Sequence, residues 1–157
     1  MVVEEKNANK MYSFYVSDFH LEMILVPFIN NKIEENENVI IKTEYDLEDT
    51  LKVLLTRLNI KEEEKDKILK LDWNKNNNKR LENNSNIIIV GNQKYIKDIN
   101  DKIKKEDLAD VTIVDCYKLE EIKNKKEDII NQYDFNLNTI GYKSIKNLDK
   151  TVELYNK

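Results

Sequence analysis

Residues 15–22 read YVSDFHLE, and the fold turns on how they are read. The Asp-x-His spacing of Asp18 and His20 opens the metal site of calcineurin-like phosphoesterases. The same letters also describe the end of a strand running into a helix. On that side, residues 11–16 (MYSFYV) are aromatic and β-branched, as a strand requires. Ser17 or Asp18 then supplies an N-cap. From residue 19 to 35 apolar side chains recur at helical spacing, with Phe19, Met23, Val26, Ile29 and Ile33 on one stripe. Leu21, Ile24, Leu25 and Phe28 lie beside that stripe, and Pro27 inside the segment predicts a kink.

Working outward, the strand–helix unit recurs. Residues 39–42 (VIIK) form a short apolar strand, and 46–58 a helix with Leu47, Leu51, Leu54, Leu55 and Leu58 inward. A second, highly charged helix covers 61–71, anchored by Ile68, Leu69 and Leu71, with Trp73 behind it. Residues 74–86 (NKNNNKRLENNSN) have no apolar period and read as an exposed asparagine-rich loop. Residues 87–90 (IIIV) are a buried strand, 93–105 a helix, 111–114 (VTIV) a strand and 119–133 a helix. Beyond 135 the pattern weakens to a short helix at most. The expected domain therefore spans 10–157, after a polar tail over 1–9.

Strands alternating with helices predict an α/β domain built on a mainly parallel sheet of four or more strands. The strands are continuous apolar runs, which calls for helices on both faces, a three-layer α/β/α arrangement of the RecA or Rossmann kind. Whether the strand order is of the RecA or the flavodoxin type is open at this point. Ligand sites on such sheets lie at the carboxyl ends of the strands, here near Tyr15 to Asp18, Thr43 to Asp46, Gly91 to Gln93 and Asp115 to Tyr117.

Composition narrows the function classes. The chain has 157 residues, 40% of them hydrophobic and 36% charged, with 26 Lys and Arg against 30 Asp and Glu and a net charge of −4. An acidic balance speaks against nucleic acid as the main partner, since phosphate binding needs a basic face. No apolar run reaches the ~20 residues that span a bilayer, and the first residues, MVVEEKNANK, hold no signal-peptide core. A single cysteine, Cys116, excludes an internal disulfide, and the expected setting is cytoplasmic. The sequence has two glycines. Neither Gly91 nor Gly141 stands in a GxxxxGK or GxGxxG setting, so the phosphate loop and the dinucleotide fingerprint are absent.

The phosphoesterase reading offers three partial matches in the right order. Asp18 and His20 come first. YDLED follows, with Asp46 and Asp49 correctly spaced but Tyr45 in the glycine position. VGNQ is third, with Gly91 and Asn92 but Gln93 in the histidine position. A two-metal centre needs several ligands around ions about 3.5–4 Å apart, and His20 is the one histidine in the sequence. Asp46 and Asp49 also suit the first turn of a helix, where its dipole favours acid. No metal, cofactor or catalytic residue is expected from the sequence.

Residues 11–43, MYSFYVSDFHLEMILVPFINNKIEENENVIIKT, resemble the opening of the MEDS domain, a sensory module of methanogen and methylotroph regulators. That family has an aromatic first strand ending in Tyr and a small acidic turn, then a helix reading toward VPFI. Tyr15, Asp18, Val26, Pro27, Phe28 and Ile29 fall in place. VTIVDCYKLEEI, 111–122, is similar to the family's strand ending in a Cys-x-Tyr-Asp turn, with Tyr117 and Leu119 matching. IIIVGNQKYI looks like its third strand. The resemblance covers roughly 10–133. Two positions depart from the pattern. Lys10 stands where the family has a histidine, and Asp115 where it has its cysteine, so that Cys116 falls one residue late.

The resemblance implies a degenerate relative of the RecA and KaiC ATPases without the phosphate loop, a non-catalytic sensory or regulatory domain. It would bind a small-molecule ligand or a regulatory protein partner at the strand ends. The candidate lining is Tyr15, Ser17, Asp18, Gly91, Asn92, Cys116 and Tyr117. Homo-oligomerisation stays open, and nucleic acid and membrane are not expected partners. The alternatives are an interaction module without a ligand and, behind it, a metallophosphoesterase-like hydrolase.

Overall fold

The computed structural model describes residues 9–75 and 77–144. The elements run β1 Asn9–Tyr15, α1 Asp18–Glu34, β2 Asn38–Thr43, α2 Glu48–Arg57, α3 Glu62–Lys70, β3 Ser85–Val90, α4 Gln93–Lys105, β4 Thr112–Lys118, α5 Lys126–Ile130, β5 Phe135–Asn138 and β6 Gly141–Ser144. Short 3-10 turns at Leu119–Glu121 and Lys123–Lys125 join β4 to α5. The strands form one sheet in the order β2-β3-β4-β1-β5-β6. All its pairings are parallel except β5 with β6. With β1 between β4 and β5, the order is neither the Rossmann 3-2-1-4-5-6 nor the flavodoxin 2-1-3-4-5. Of the two types the sequence leaves open, the flavodoxin one is thereby removed.

Side chains alternate across the sheet. Met11, Tyr15, Ile41, Ile88, Val90, Val114 and Cys116 face a core shared with α1, α2 and α3, completed by Leu25, Leu51, Leu55, Ile68 and Trp73. Tyr12, Ile40, Ile87, Ile89, Ile113 and Tyr117 face the other way, against Ile96 and Ile103 of α4 and Ile129 of α5. The sheet is thus covered on both faces, and the continuous apolar character of β3, buried at all positions, follows from that.

Two helices, α1 and α4, end in a left-handed residue that is not glycine. Asn36 and Asp107 take positive φ, 61° and 53°. After α1, Asn36 N donates to Ile33 O and Glu37 N to Lys32 O, each at 2.9 Å, which satisfies the last carbonyls in the Schellman manner. Asp107 N and Leu108 N do the same to Lys104 O and Ile103 O. Short polar side chains tolerate this backbone region, so a chain with so few glycines still closes its helices.

Several expectations are corrected. Of the tail expected over 1–9, Asn9 belongs to β1; the rest lies outside the described residues. Phe19 and Met23 are exposed rather than inward, at 40% and 50%. The buried face of α1 is centred on Leu21, Ile24, Leu25 and Phe28, and Glu22 goes in with it. α1 continues through Pro27, which sits on the exposed side. α2 starts at Glu48, so Asp46 precedes the helix and its Oδ1 instead accepts from Lys75 N at 2.8 Å. β4 is longer than 111–114, taking in Asp115, Cys116 and Tyr117 because they pair with Ile89, Val90 and the end of β1. The helix expected over 119–133 is two 3-10 turns and the five-residue α5. The short helix expected after 135 is, as far as residue 144, the β5–β6 hairpin, which pairs with β1 through Met11↔Phe135 and Tyr12↔Asn136.

Candidate functional site

At the carboxyl end of β1, the loop into α1 is closed by its own side chains. Ser17 Oγ accepts from His20 N at 3.2 Å, and His20 Nδ1 accepts from Val16 N at 2.9 Å. The first-turn N–H of His20, the Val16 N–H just before the cap and the imidazole are therefore all engaged at the helix start. Asp18 is the first residue of α1, half-buried. Among the described residues no group of three or more His, Cys, Asp or Glu side chains converges as a metal site.

The third strand end is closed in a similar way. Asn92 caps α4, its Oδ1 accepting from Tyr95 N at 2.8 Å, while its own N donates to Glu44 Oε1 at 2.8 Å. A carboxylate of the chain itself thus occupies the helix N-terminus where an anion would otherwise sit. Gly91 is tight against this arrangement: a Cβ there would meet Tyr95 Cδ2 at 2.5 Å and Glu44 Oε1 at 2.9 Å.

Tyr15 and Cys116 are 1% and 0% exposed in the α1–α3 core. Burial lifts the Tyr15 phenol well above its usual range, helped by Cys116, Tyr45, Asp18 and Glu121 nearby. Burial also pushes the Cys116 thiol well up, with the Asp115 charge adding to it. Tyr117 points to the opposite face of the sheet. The structure therefore brings Tyr15, Asp18 and Cys116 near one another, sets Gly91 and Asn92 at the α4 cap, and sends Tyr117 elsewhere.

Where Tyr117 points there is a groove of about 570 Å³ between α4 and α5. Its floor is a polar network in an otherwise apolar face. Asp115, 0% exposed, accepts from Tyr133 Oη at 2.5 Å and from Asn100 Nδ2 at 3.1 and 3.2 Å. Tyr117 and Tyr133 hydroxyls are 2.5 Å apart. Lys10 Nζ lies 3.9 Å from Asp115 Oδ2 and 5.1 Å from the Tyr133 ring centroid. The rings of Tyr12, Phe14, Tyr117 and Tyr133 pack edge-on or tilted beside it. Around the opening stand Lys94, Lys97, Lys104 and Lys125, with Asp101 as the acidic member of the rim. A protein of net charge −4 thus gathers cations at one concavity.

Burial raises the Asp115 carboxyl above its ordinary value, against the opposing pull of Tyr133, Lys10 and Asn100. Tyr117 is pushed up to about 12, chiefly by burial. Tyr133 is raised further, by burial and then by the Asp115 charge. A buried carboxylate with a perturbed pKa in a cleft marks a candidate site. The groove reaches the carboxyl end of the sheet through Gln93 and Lys94 in the first turn of α4. Of the residues expected from the sequence, Tyr117 lines it. Asn100 and Tyr133 give no signal in the sequence. Asp115 does: a carboxylate inside the apolar run VTIVDCY is the informative kind of exception.

No family model, no curated protein and no solved structure is matched by the chain. Among the described residues no helix is long and apolar enough to cross a membrane.

Proposed function

We propose that the chain is a non-catalytic sensory or regulatory domain of the MEDS kind that binds a small ligand in the lysine-rimmed groove over β4. The observation that carries this reading is Asp115, fully buried beneath the rim and held by Tyr133 and Asn100. Removing a carboxylate from water costs several kcal/mol (about that order) unless partners compensate it. A core strand gains nothing from it that a valine would not supply. The resemblance adds support from an independent side. Its two departures, Lys10 and Asp115, stand 3.9 Å apart in this same groove. A family site with changed ligand preference would place its substitutions there. The strand order, with β1 between β4 and β5, is compatible with the RecA-type ancestry that the resemblance implies. A cytoplasmic setting belongs to the same proposal and accords with the free, buried Cys116.

Native mass spectrometry of gently purified protein tests it. A non-covalent small-molecule adduct is expected in the wild type and its loss in the Lys97→Glu/Lys104→Glu variant. An adduct retained by that variant removes the groove from the proposal.

A second reading, an interaction module without a ligand, is favoured by one observation. Val16, Phe19 and Met23 are 60%, 40% and 50% exposed at the start of α1. Phe19 and Met23, one turn apart, share a face. Capture of a partner that is lost in Phe19→Ser, with no adduct in the groove, would select this reading.

A further inference from the structure

We infer that the groove takes a small anion carrying an N–H or O–H donor on the side away from its negative charge, an inference that rests on the groove being the ligand site. The direction of the floor's hydrogen bonds carries it. A phenol has one proton to give. Tyr133 gives its proton to Asp115 Oδ2, so in the 2.5 Å contact between the two tyrosines Tyr117 is the donor. The Tyr117 oxygen is left with lone pairs alone. Asn100 Nδ2 is engaged by Ile96 O at 2.9 Å and by Asp115, so what Asn100 has to offer is its carbonyl Oδ1. Asp115 as a carboxylate only accepts. Apart from Lys10, whose Nζ stands 3.9 Å from Asp115 Oδ2 and is held there by its charge, the floor spends its donors internally and presents acceptors.

The rim has the opposite character. Lys94 and Lys97 pair with Asp98 and Asp101 at 3.0 and 2.9 Å along α4, in exposed i,i+4 contacts that exchange readily with a ligand. Lys104 and Lys125 stand on either side of the opening. An anion entering charge-first would meet Asp115. Entering donor-first, it meets Tyr117 and Asn100 with its N–H or O–H and leaves its charge among the lysines. Acceptor floor and cationic rim together define the ligand: a phosphate or carboxylate at one end and an amine, amide or hydroxyl at the other, with an apolar middle against the aromatic wall.

The test uses phenyl phosphate, 4-aminophenyl phosphate and 4-nitrophenyl phosphate, which differ in presenting nothing, a donor or only acceptors opposite the phosphate. Each is titrated into the full chain labelled with nitrogen-15. The amino compound should bind about tenfold more tightly than phenyl phosphate, the worth of one buried hydrogen bond. It should also shift the Asn100 side-chain amide. Tyr117→Phe should lower that ratio toward one. Equal affinities, or a preference for the nitro compound, overturn the inference and leave an anion groove. If neither these probes nor inorganic phosphate perturbs Lys97 and Asn100, the groove itself fails as the site.

Discussion

Tyr133 and Asp115, 18 residues apart in the chain, meet across 2.5 Å with the tyrosine hydroxyl donating to the carboxylate. One sits in the middle of the sheet and the other just after α5, so this contact ties the α5 segment to β4. Tyr117 and Asn100 join the same pair from β4 and α4.

Tyr133→Phe removes that donor and leaves Asp115 buried with less compensation. A loss of about 1 to 3 kcal/mol of stability is expected, the range for a buried polar group deprived of a partner. Urea unfolding measures it. A loss below the experimental error would mean that water replaces the hydroxyl at the groove floor.

Glu22 predicts a pH dependence. It is 0% exposed, Thr50 Oγ1 donates to its Oε2, and its Oε1 has no hydrogen-bond partner. Burial pushes its carboxyl from 4.5 up to about 7, with Thr50 opposing and Asp18 assisting. A raised carboxyl pKa means that the fold prefers the protonated form. Its contribution is whole below about pH 4.5 and is lost as pH rises through about 7, by roughly 3 kcal/mol in all. Glu22→Gln should therefore gain stability relative to the wild type between pH 5 and pH 8 in paired urea titrations, roughly by that amount. A difference that does not change with pH would contradict it.

Gly91→Ala should cost about 1 to 3 kcal/mol, as forced overpacking does. The new Cβ would stand 2.9 Å from Glu44 Oε1, the atom that accepts from Asn92 N. Exchange of the Asn92 amide should speed up in the variant. Unchanged exchange and unchanged stability would show that Tyr95 and Glu44 swing aside freely.

Trp73 is 0% exposed and the one tryptophan of the sequence. Its Nε1 donates to Ile68 O at 2.8 Å and its carbonyl accepts from Leu47 N at 3.0 Å, which joins α3 to the start of α2. Leu71 N also donates to Ile68 O, so Trp73→Phe leaves that carbonyl served. The expected loss of about 1 to 3 kcal/mol is one of packing. In the wild type the fluorescence of Trp73 should be that of a buried indole and shift to the red in a single step with loss of helical signal. A red shift that precedes the main transition would mean that α3 detaches on its own.

The alternation of strand and helix, the two-faced burial of the sheet and an N-cap at Ser17 or Asp18 are local or composition-level properties, and the sequence determines them by itself. Runs such as IIIV have no alternative to a covered strand, and the Leu spacing of α2 leaves one face to bury. What only the tertiary structure decided rests on contacts between distant elements. FNLN is a strand because β1 offers it an edge at Met11 and Tyr12. Residues 119–133 break into turns where no helix-long apolar period holds them to the sheet, leaving Ile122 and Ile129 as the fully buried anchors of that stretch before Tyr133. The site follows the same rule. Asp115 is visible in the sequence as a misplaced charge, but Lys10, Asn100 and Tyr133 come to it from β1, α4 and the end of α5. Hydrogen-bond direction and the depth of a groove are set by how whole elements pack, and no spacing along the chain encodes them.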